Sequence, residues 1–255
     1  MIEVPQSFVV REECEKAAFQ NGFRRHLGES QGWAAFASTT ARGAIHLAAA
    51  GVRGPWFLAL DHGGIIAELG LPAAVTPGPG KTRYAFDTLG ELYATLNRVY
   101  ALGVSLPDAP LREFELRVTN LPRTTEAERL VIQRVGQEVF RDALMTYWGG
   151  RCAVTGVAEP HLLRASHIKP WARCETDAER LDAYNGLLLA VHLDAAFDVG
   201  LISFTDDGDI LLADQFGQDD REILRIHAGL KLRHVAAGHR PRLAWHRANL
   251  FGSTS

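Results

Sequence analysis

Cysteine is scarce in this chain. The 255 residues hold three, Cys14, Cys152 and Cys174, widely spaced and odd in number. No CxxC pair exists, which speaks against a structural zinc knuckle and more strongly against a disulfide framework. A reducing, cytoplasmic setting is the expectation. Long apolar runs are missing as well: none reaches the roughly 20 residues that cross a bilayer. The opening residues, MIEVPQSFVVREECEK, have no basic start followed by an apolar stretch, so no signal peptide is expected. Nor is there an excess of positive charge. The formal net charge is −3, so any contact with nucleic acid must come from local basic patches. What is present is 47% hydrophobic and 22% charged residues, the composition of a folded protein with a true core. The length suits one large domain or two of moderate size.

The first hundred residues read as a compact α/β unit. Residues 11–27 have a mild helical pattern. GWAAFASTT, GAIHLAAAG and PWFLALDHG read as short strands separated by Gly, Arg and Pro. Residues 65–71 suit a strand end or a short helix. The stretch 73–82 is the clearest loop, because its PGPG cannot continue helix or strand. Residues 87–102 predict an amphipathic helix, with Leu89, Leu92, Leu96, Val99 and Tyr100 on one face and Asp87 as its cap.

A boundary is expected near residues 105–124, with SLPDAPLREF reading as a linker. Thr124 and Thr125, followed by Glu126 and Glu128, then mark a helix start with acids in the first turn. That helix should run to about Trp148 and stop at Gly149 and Gly150. RCAVTG reads as a short strand into a turn, and LLRASHIKP as a second strand ended by Pro170. CETDAERLDAYN reads as a polar loop or loose helical turn. The segment 185–197 begins apolar and ends with helical spacing. GLISFTDDGDILLA is a hairpin around Asp207 and Gly208. A short helix at 219–228 and a basic tail, LRHVAAGHRPRLAWHRANLF, complete the chain. The fold class is α+β.

The chemistry concentrates in the segment 164–198. His167 ends an apolar strand and faces a polar loop, and an imidazole is the side chain best suited to take a proton from water near pH 7. Asn185, eighteen residues on, offers an amide carbonyl that can hold one imidazole nitrogen protonated and leave the other free. Asp194 and Asp198 lie four apart, so a helix puts them on one face. Hard oxygen donors of this kind suit Mg²⁺ or Mn²⁺, which would stabilise charge on a phosphate and its leaving oxygen. Each residue alone has an ordinary explanation as core, turn or solvated surface. The combination is what points to hydrolysis.

These residues carry a resemblance. From about Glu126 to Ala213 the chain resembles the HNH endonuclease family, whose core is the ββα-metal finger. The matching stretches are Cys152-Ala-Val-Thr-Gly156, Ala165-Ser-His-Ile-Lys-Pro-Trp171, Asn185-Gly-Leu-Leu-Leu189 and Asp194-Ala-Ala-Phe-Asp-Val-Gly200. The resemblance implies His167 as general base and Asn185 as the residue that orients it. At the third position, where the family usually has a metal-binding histidine, this chain has Asp194. His192 stands two residues earlier, and in a helix positions 192 and 194 point about 200° apart, so they cannot both serve. Before the base, where many members carry aspartate or histidine, stands Ser166. The implied metal set is therefore Asp194 and Ser166, with Asp198 either completing it or bracing the turn at Gly200. No structural zinc is expected, since Cys152 has no paired cysteine.

Double-stranded DNA is the implied substrate. Arg164, Lys169, Arg173, Arg240 and Arg242 are the leading candidates to contact phosphates. Arg233, His234, His239 and Arg247 of the tail and Arg129, Arg134 and Arg141 of the long helix stand behind them. In the first domain the aromatic residues Trp33, Phe36 and Trp56, with Phe57, lie near strand ends. A loop carries Lys81 and Arg83, and Arg24, Arg25 and His26 stand in a row. Several bacterial HNH nucleases are similar in layout, with a sensor of modified bases ahead of the finger. By that likeness residues 1–110 are a recognition domain for methylated adenine or cytosine with Trp33, Phe36 and Trp56 in its pocket. Residues 111–124 are a linker and 125–255 the nuclease domain. The expected protein is a modification-dependent restriction enzyme using Mg²⁺ or Mn²⁺, working as a homodimer because one finger cuts one strand. The alternatives are a restriction enzyme reading unmodified sequence and a DNA-binding protein with a decayed finger.

Overall fold

The computed structural model describes residues 2–122 and 125–253. The chain divides into two compact units, Met1–Val104 and Ser105–Ser255. Among the described residues no helix is long and apolar enough to cross a membrane.

The first unit opens with helix α1 (Phe8–Gln20), started by Ser7, whose side chain accepts from the Val10 N–H. Strands β1 (Arg25–Ser30), β2 (Trp33–Ala37), β3 (Ala44–Ala49) and β4 (Trp56–Leu60) follow. Next come helix α2 (Gly63–Leu69), strand β5 (Thr82–Phe86) and helix α3 (Leu89–Ser105). The five strands form one sheet in chain order, with every neighbouring pair antiparallel. Three of these strands are legible in the sequence; β1 and β5 are not. All six residues of β1 are exposed and its register shifts between His26 and Gly28, so it shows no alternation. The 65–71 segment resolves as helix, ended by Gly70 with φ 58°. Helix α3 is capped by Thr88 rather than Asp87: Thr88 Oγ1 accepts from Glu91 N at 3.2 Å, and Glu91 Oε2 accepts from the Asp87 and Thr88 N–H groups.

The second unit holds α4 (Asp108–Val118), α5 (Glu126–Tyr147), β6 (Leu163–His167), α6 (Asp177–Arg180) and β7 (Gly186–Ala190). It continues with α7 (Val191–Asp198), β8 (Ile202–Phe204), β9 (Ile210–Leu212), α8 (Gln218–Ile223) and α9 (His239–Asn249). Most of the segment expected as a linker is helix α4, which packs on α5. Pro107 and Pro110 fall at its cap and first turn, where a missing N–H removes no helical bond. Thr125 starts α5 with a reciprocal capping box to Glu128; Thr124 lies outside the described residues. RCAVTG forms a turn instead of a strand. In it Cys152 Sγ accepts backbone N–H groups from Val154, Thr155 and Ala190.

Strands β6 and β7 pair antiparallel, from Leu163 opposite Ala190 to His167 opposite Gly186. β7 is wholly buried and runs directly into α7, giving a ββα unit. Gly186 makes its packing possible: a Cβ there would lie 2.6 Å from Phe140 and from Leu144 of α5. Helix α5 thus lies close against the hairpin and brings Phe140 to the end of β6.

Candidate active site

A cavity of about 420 Å³ opens where β6 ends beside α7. It is lined by Arg164, Ser166, His167, Trp171, Asp194 and Asp198, together with Ala165, Pro170, His246 and Leu250. Arg164, Ser166 and His167 come from β6 and Asp194 and Asp198 from α7, which the β7–α7 junction brings together; Trp171 follows β6 in the loop, and His246 comes from α9. His192, two residues before Asp194 on the same helix, is not part of the lining.

The His167 ring is held on three sides. It stacks on Phe140 with centroids 3.8 Å apart, and Trp171 meets it edge-on at 5.5 Å. Nε2 lies 2.9 Å from the Arg180 carbonyl oxygen. A carbonyl can only accept, so Nε2 carries the hydrogen and Nδ1 keeps its lone pair. Burial pushes the imidazole down to about 4, against the hydrogen bond to Arg180, which favours the charged form. His167 lines the cavity, and among the described residues its Nδ1 has no hydrogen-bond partner; a neutral imidazole of that kind can take a proton from water.

Among the described residues Asn185 makes no hydrogen bond to this ring. It is fully buried and clamps the loop between β6 and β7: Oδ1 accepts from Lys169 N at 2.8 Å, and Nδ2 donates to the carbonyls of Lys169 and Glu179. The contact expected from its amide is made by the Arg180 backbone. No sequence signal could have revealed that, because a backbone carbonyl is carried by every residue. Phe140, Trp171 and His246 are further members of the site. The KPW tripeptide held a visible hint for Trp171; the other two come from distant elements.

The acidic side is built by α7. Asp194 and Asp198 stand one turn apart, and the buried Ser166 is beside both, donating to Asp198 Oδ1 at 3.4 Å. Burial raises the Asp194 carboxyl, while Ser166 and the charge of Arg164 draw it back. Burial, then repulsion from Asp194, pushes Asp198 up to about 6. Two carboxylates thus share a partly dehydrated place that disfavours both charges, the environment a cation relieves. Three hard oxygen donors of the type Mg²⁺ or Mn²⁺ takes are therefore present. Among the described residues no group of three or more His, Cys, Asp or Glu could hold a metal, so water and substrate oxygens would have to fill the remaining positions.

The candidate phosphate contacts separate into two kinds. Arg164 lines the cavity and donates to the carbonyls of His161 and Leu163. Arg173 and Arg240 are exposed, with no ion pair among the described residues. Lys169 and Arg242 are instead committed within the protein. Lys169 Nζ meets Glu179 at 2.8 Å, and Arg242 reaches Glu179 at 3.8 Å and Asp182 at 3.4 Å. Arg141 is bound to the carbonyls of Leu163 and Pro160, Arg247 to Phe204 and Asp206, and Arg233 to Trp148.

The three aromatics expected in a base pocket do not share one. In the register of the sheet, Phe36 and Trp56 lie on one face and Trp33 on the other. Strand alternation separates Trp33 from Phe36, three residues on. Phe36 and Trp56 are core, each 2% exposed, and Trp33 is nearly as buried, at 3%, packed against Phe57. Trp33 edges a separate cavity of about 410 Å³ on the opposite face of the sheet, with Leu27, Ala35, His46 and Gly78.

Residues 152–205 match the family described as HNH endonuclease. No curated protein matches the chain. The matched stretch includes β6, β7, α7 and every polar side chain named above as lining the cavity except His246. The site therefore lies in a stretch similar to HNH endonucleases, and that likeness suggests a nuclease acting on DNA, a chemistry that generally uses a divalent metal.

Proposed function

We propose that this chain is a metal-dependent DNA endonuclease of a modification-dependent restriction system. The observation that carries the reading is the His167 ring, fixed with Nε2 on the Arg180 carbonyl and Nδ1 free, in the same cavity as Asp194 and Asp198. His167 takes a proton from the attacking water through Nδ1. Asp194, Asp198 and Ser166 would hold a divalent cation, whose charge stabilises the phosphate and the leaving oxygen. Arg164, at the rim, binds a phosphate oxygen, and Arg173 and Arg240 bind the flanking backbone. Asn185 serves by holding the loop and not by a hydrogen bond to the ring.

The first unit, Met1–Val104, is the recognition part in this reading, and the second, with residues 125–255, is the nuclease. The Trp33 cavity has a volume in the range of small-ligand sites, and we assign it to one methylated base lifted from the duplex. The exposed Leu130 and Val131 of α5 support a pairing of two chains, so that both strands are cut in the cytoplasm where foreign DNA enters. The test is cleavage, with Mg²⁺ or Mn²⁺, of matched plasmids that are unmethylated, adenine-methylated or cytosine-methylated. Cutting of one methylated plasmid alone supports the reading and names the base. Equal cutting of all removes the sensor, and no cutting with either metal removes the nuclease.

A further inference from the structure

The loop between β6 and β7 must deliver one backbone oxygen to one ring nitrogen. Arg180 is the last residue of α6, and its carbonyl accepts from His167 Nε2 at 2.9 Å. Its own side chain turns back into the same loop. One terminal nitrogen donates to the Cys174 carbonyl at 2.6 Å, the other to Asp177 Oδ1 at 2.9 Å, and Nε to the Trp171 carbonyl at 3.4 Å. The guanidinium also lies over the Trp171 ring at 5.8 Å. Trp171 is the residue that meets His167 edge-on, and it fills a notch left by Gly136, where a Cβ would lie 2.6 Å from it.

We propose that Arg180 is a positioning residue for His167: its guanidinium ties the turn at 171–177 to its own carbonyl, which fixes the Nε2–H tautomer of the imidazole. One residue thus acts at both ends of the contact. The backbone oxygen selects the tautomer, and the side chain fixes where that oxygen stands and where the Trp171 edge stands. The planar fork is needed because three acceptors in different directions are reached at once; a single ammonium meets fewer of them. No contact of Arg180 with substrate is required.

The inference rests on the nuclease reading for its importance but not for its test. In protein with ¹⁵N-labelled histidine, the ring signals of His167, identified by their loss in His167→Gln, report the tautomer directly. Wild type is expected to show Nε2–H alone. Arg180→Ala is expected to mix the two tautomers and, at saturating metal, to slow single-turnover cleavage by about 10–100-fold with DNA affinity unchanged, the usual loss when a partner behind a functional group is removed. Arg180→Lys, which keeps the charge and loses the fork, should fall between the two. An Nδ1–H tautomer in wild type, or an unchanged Nε2–H tautomer in Arg180→Ala, overturns the proposal. If Arg180→Ala does not fold, the spectrum of Arg180→Lys decides in the same way. A wild-type protein that cuts no DNA defeats the nuclease reading, while the spectra still decide the role of Arg180.

Discussion

Acidifying the cleavage reaction should separate the two titrating sides of the cavity. An ordinary imidazole titrates near 6.5, so at pH 5 only about 3% of it stays neutral, a loss of roughly 30-fold in available base. His167 is pushed down to about 4 by burial, which leaves about 90% neutral at pH 5 and costs almost nothing. Asp198 moves the other way. Burial and Asp194 raise it to about 6, so without a cation about 90% of it is protonated at pH 5. Metal and proton then compete for the same carboxylate. Single-turnover cleavage measured from roughly pH 4.5 to 8, at limiting and at saturating Mn²⁺, reads both effects. At limiting metal the rate should fall below about pH 6; at saturating metal the fall should move to lower pH and the rate stay nearly flat to about pH 5. An acid limb fixed near 6.5 at every metal concentration would refute both the buried imidazole and the part given to Asp198.

Further outcomes concern stability. His246 is fully buried, stacked on Phe197 and bonded to the Phe197 carbonyl, and burial lowers it to about 4. Its folded value lies below its unfolded one, so its contribution to stability is complete above about pH 6.5 and falls as pH drops toward 4, by up to about 3 kcal/mol; a urea midpoint with the same pH dependence in wild type and His246→Gln contradicts this. For Asp198 the sign reverses. The folded carboxyl keeps its proton to higher pH, so ionising it costs stability as pH rises from about 4 to about 6. Asp198→Asn should therefore stabilise the metal-free protein above about pH 6, by about 1 kcal/mol once screening of this exposed residue is allowed for. The same variant should reduce the rise in Tm on adding Mg²⁺, and an unchanged rise excludes Asp198 as a ligand. Gly200 has φ 72°, and a Cβ there would lie 2.1 Å from the Leu250 carbonyl oxygen. Gly200→Ala should cost more than about 2 kcal/mol, and a melting temperature equal to wild type would contradict that packing.

The parts of the fold that the sequence revealed are those where chain chemistry is local. GLLLA followed by helical spacing announces β7 running into α7, and Asp207-Gly208 announces the β8–β9 hairpin. β1 stayed hidden because an exposed edge strand with a shifted register has no buried face to alternate. β5 is too short, five residues after PGPG, for Tyr84 and Phe86 to stand out as its buried side. The α4 segment resembles a linker in sequence, but its two prolines fall at the helix start, where they fit. In the site, the spacing of Ser166, His167, Asp194 and Asp198 was legible, because strand and helix ends fix where such side chains lie. The partner of the imidazole was not, since it is a carbonyl. The cations of the loop and tail looked alike in sequence. Only their neighbours Glu179 and Asp182 distinguish the engaged Lys169 and Arg242 from the exposed Arg173 and Arg240.

The most direct test of the nuclease reading is to cleave the plasmid set with wild type and with His167→Ala, in Mg²⁺ and in Mn²⁺. The account predicts metal-dependent cutting by wild type and a fall of about 10²–10⁴-fold in His167→Ala, with DNA binding retained. Equal cutting by the two proteins, or no cutting by wild type with either metal, would contradict it.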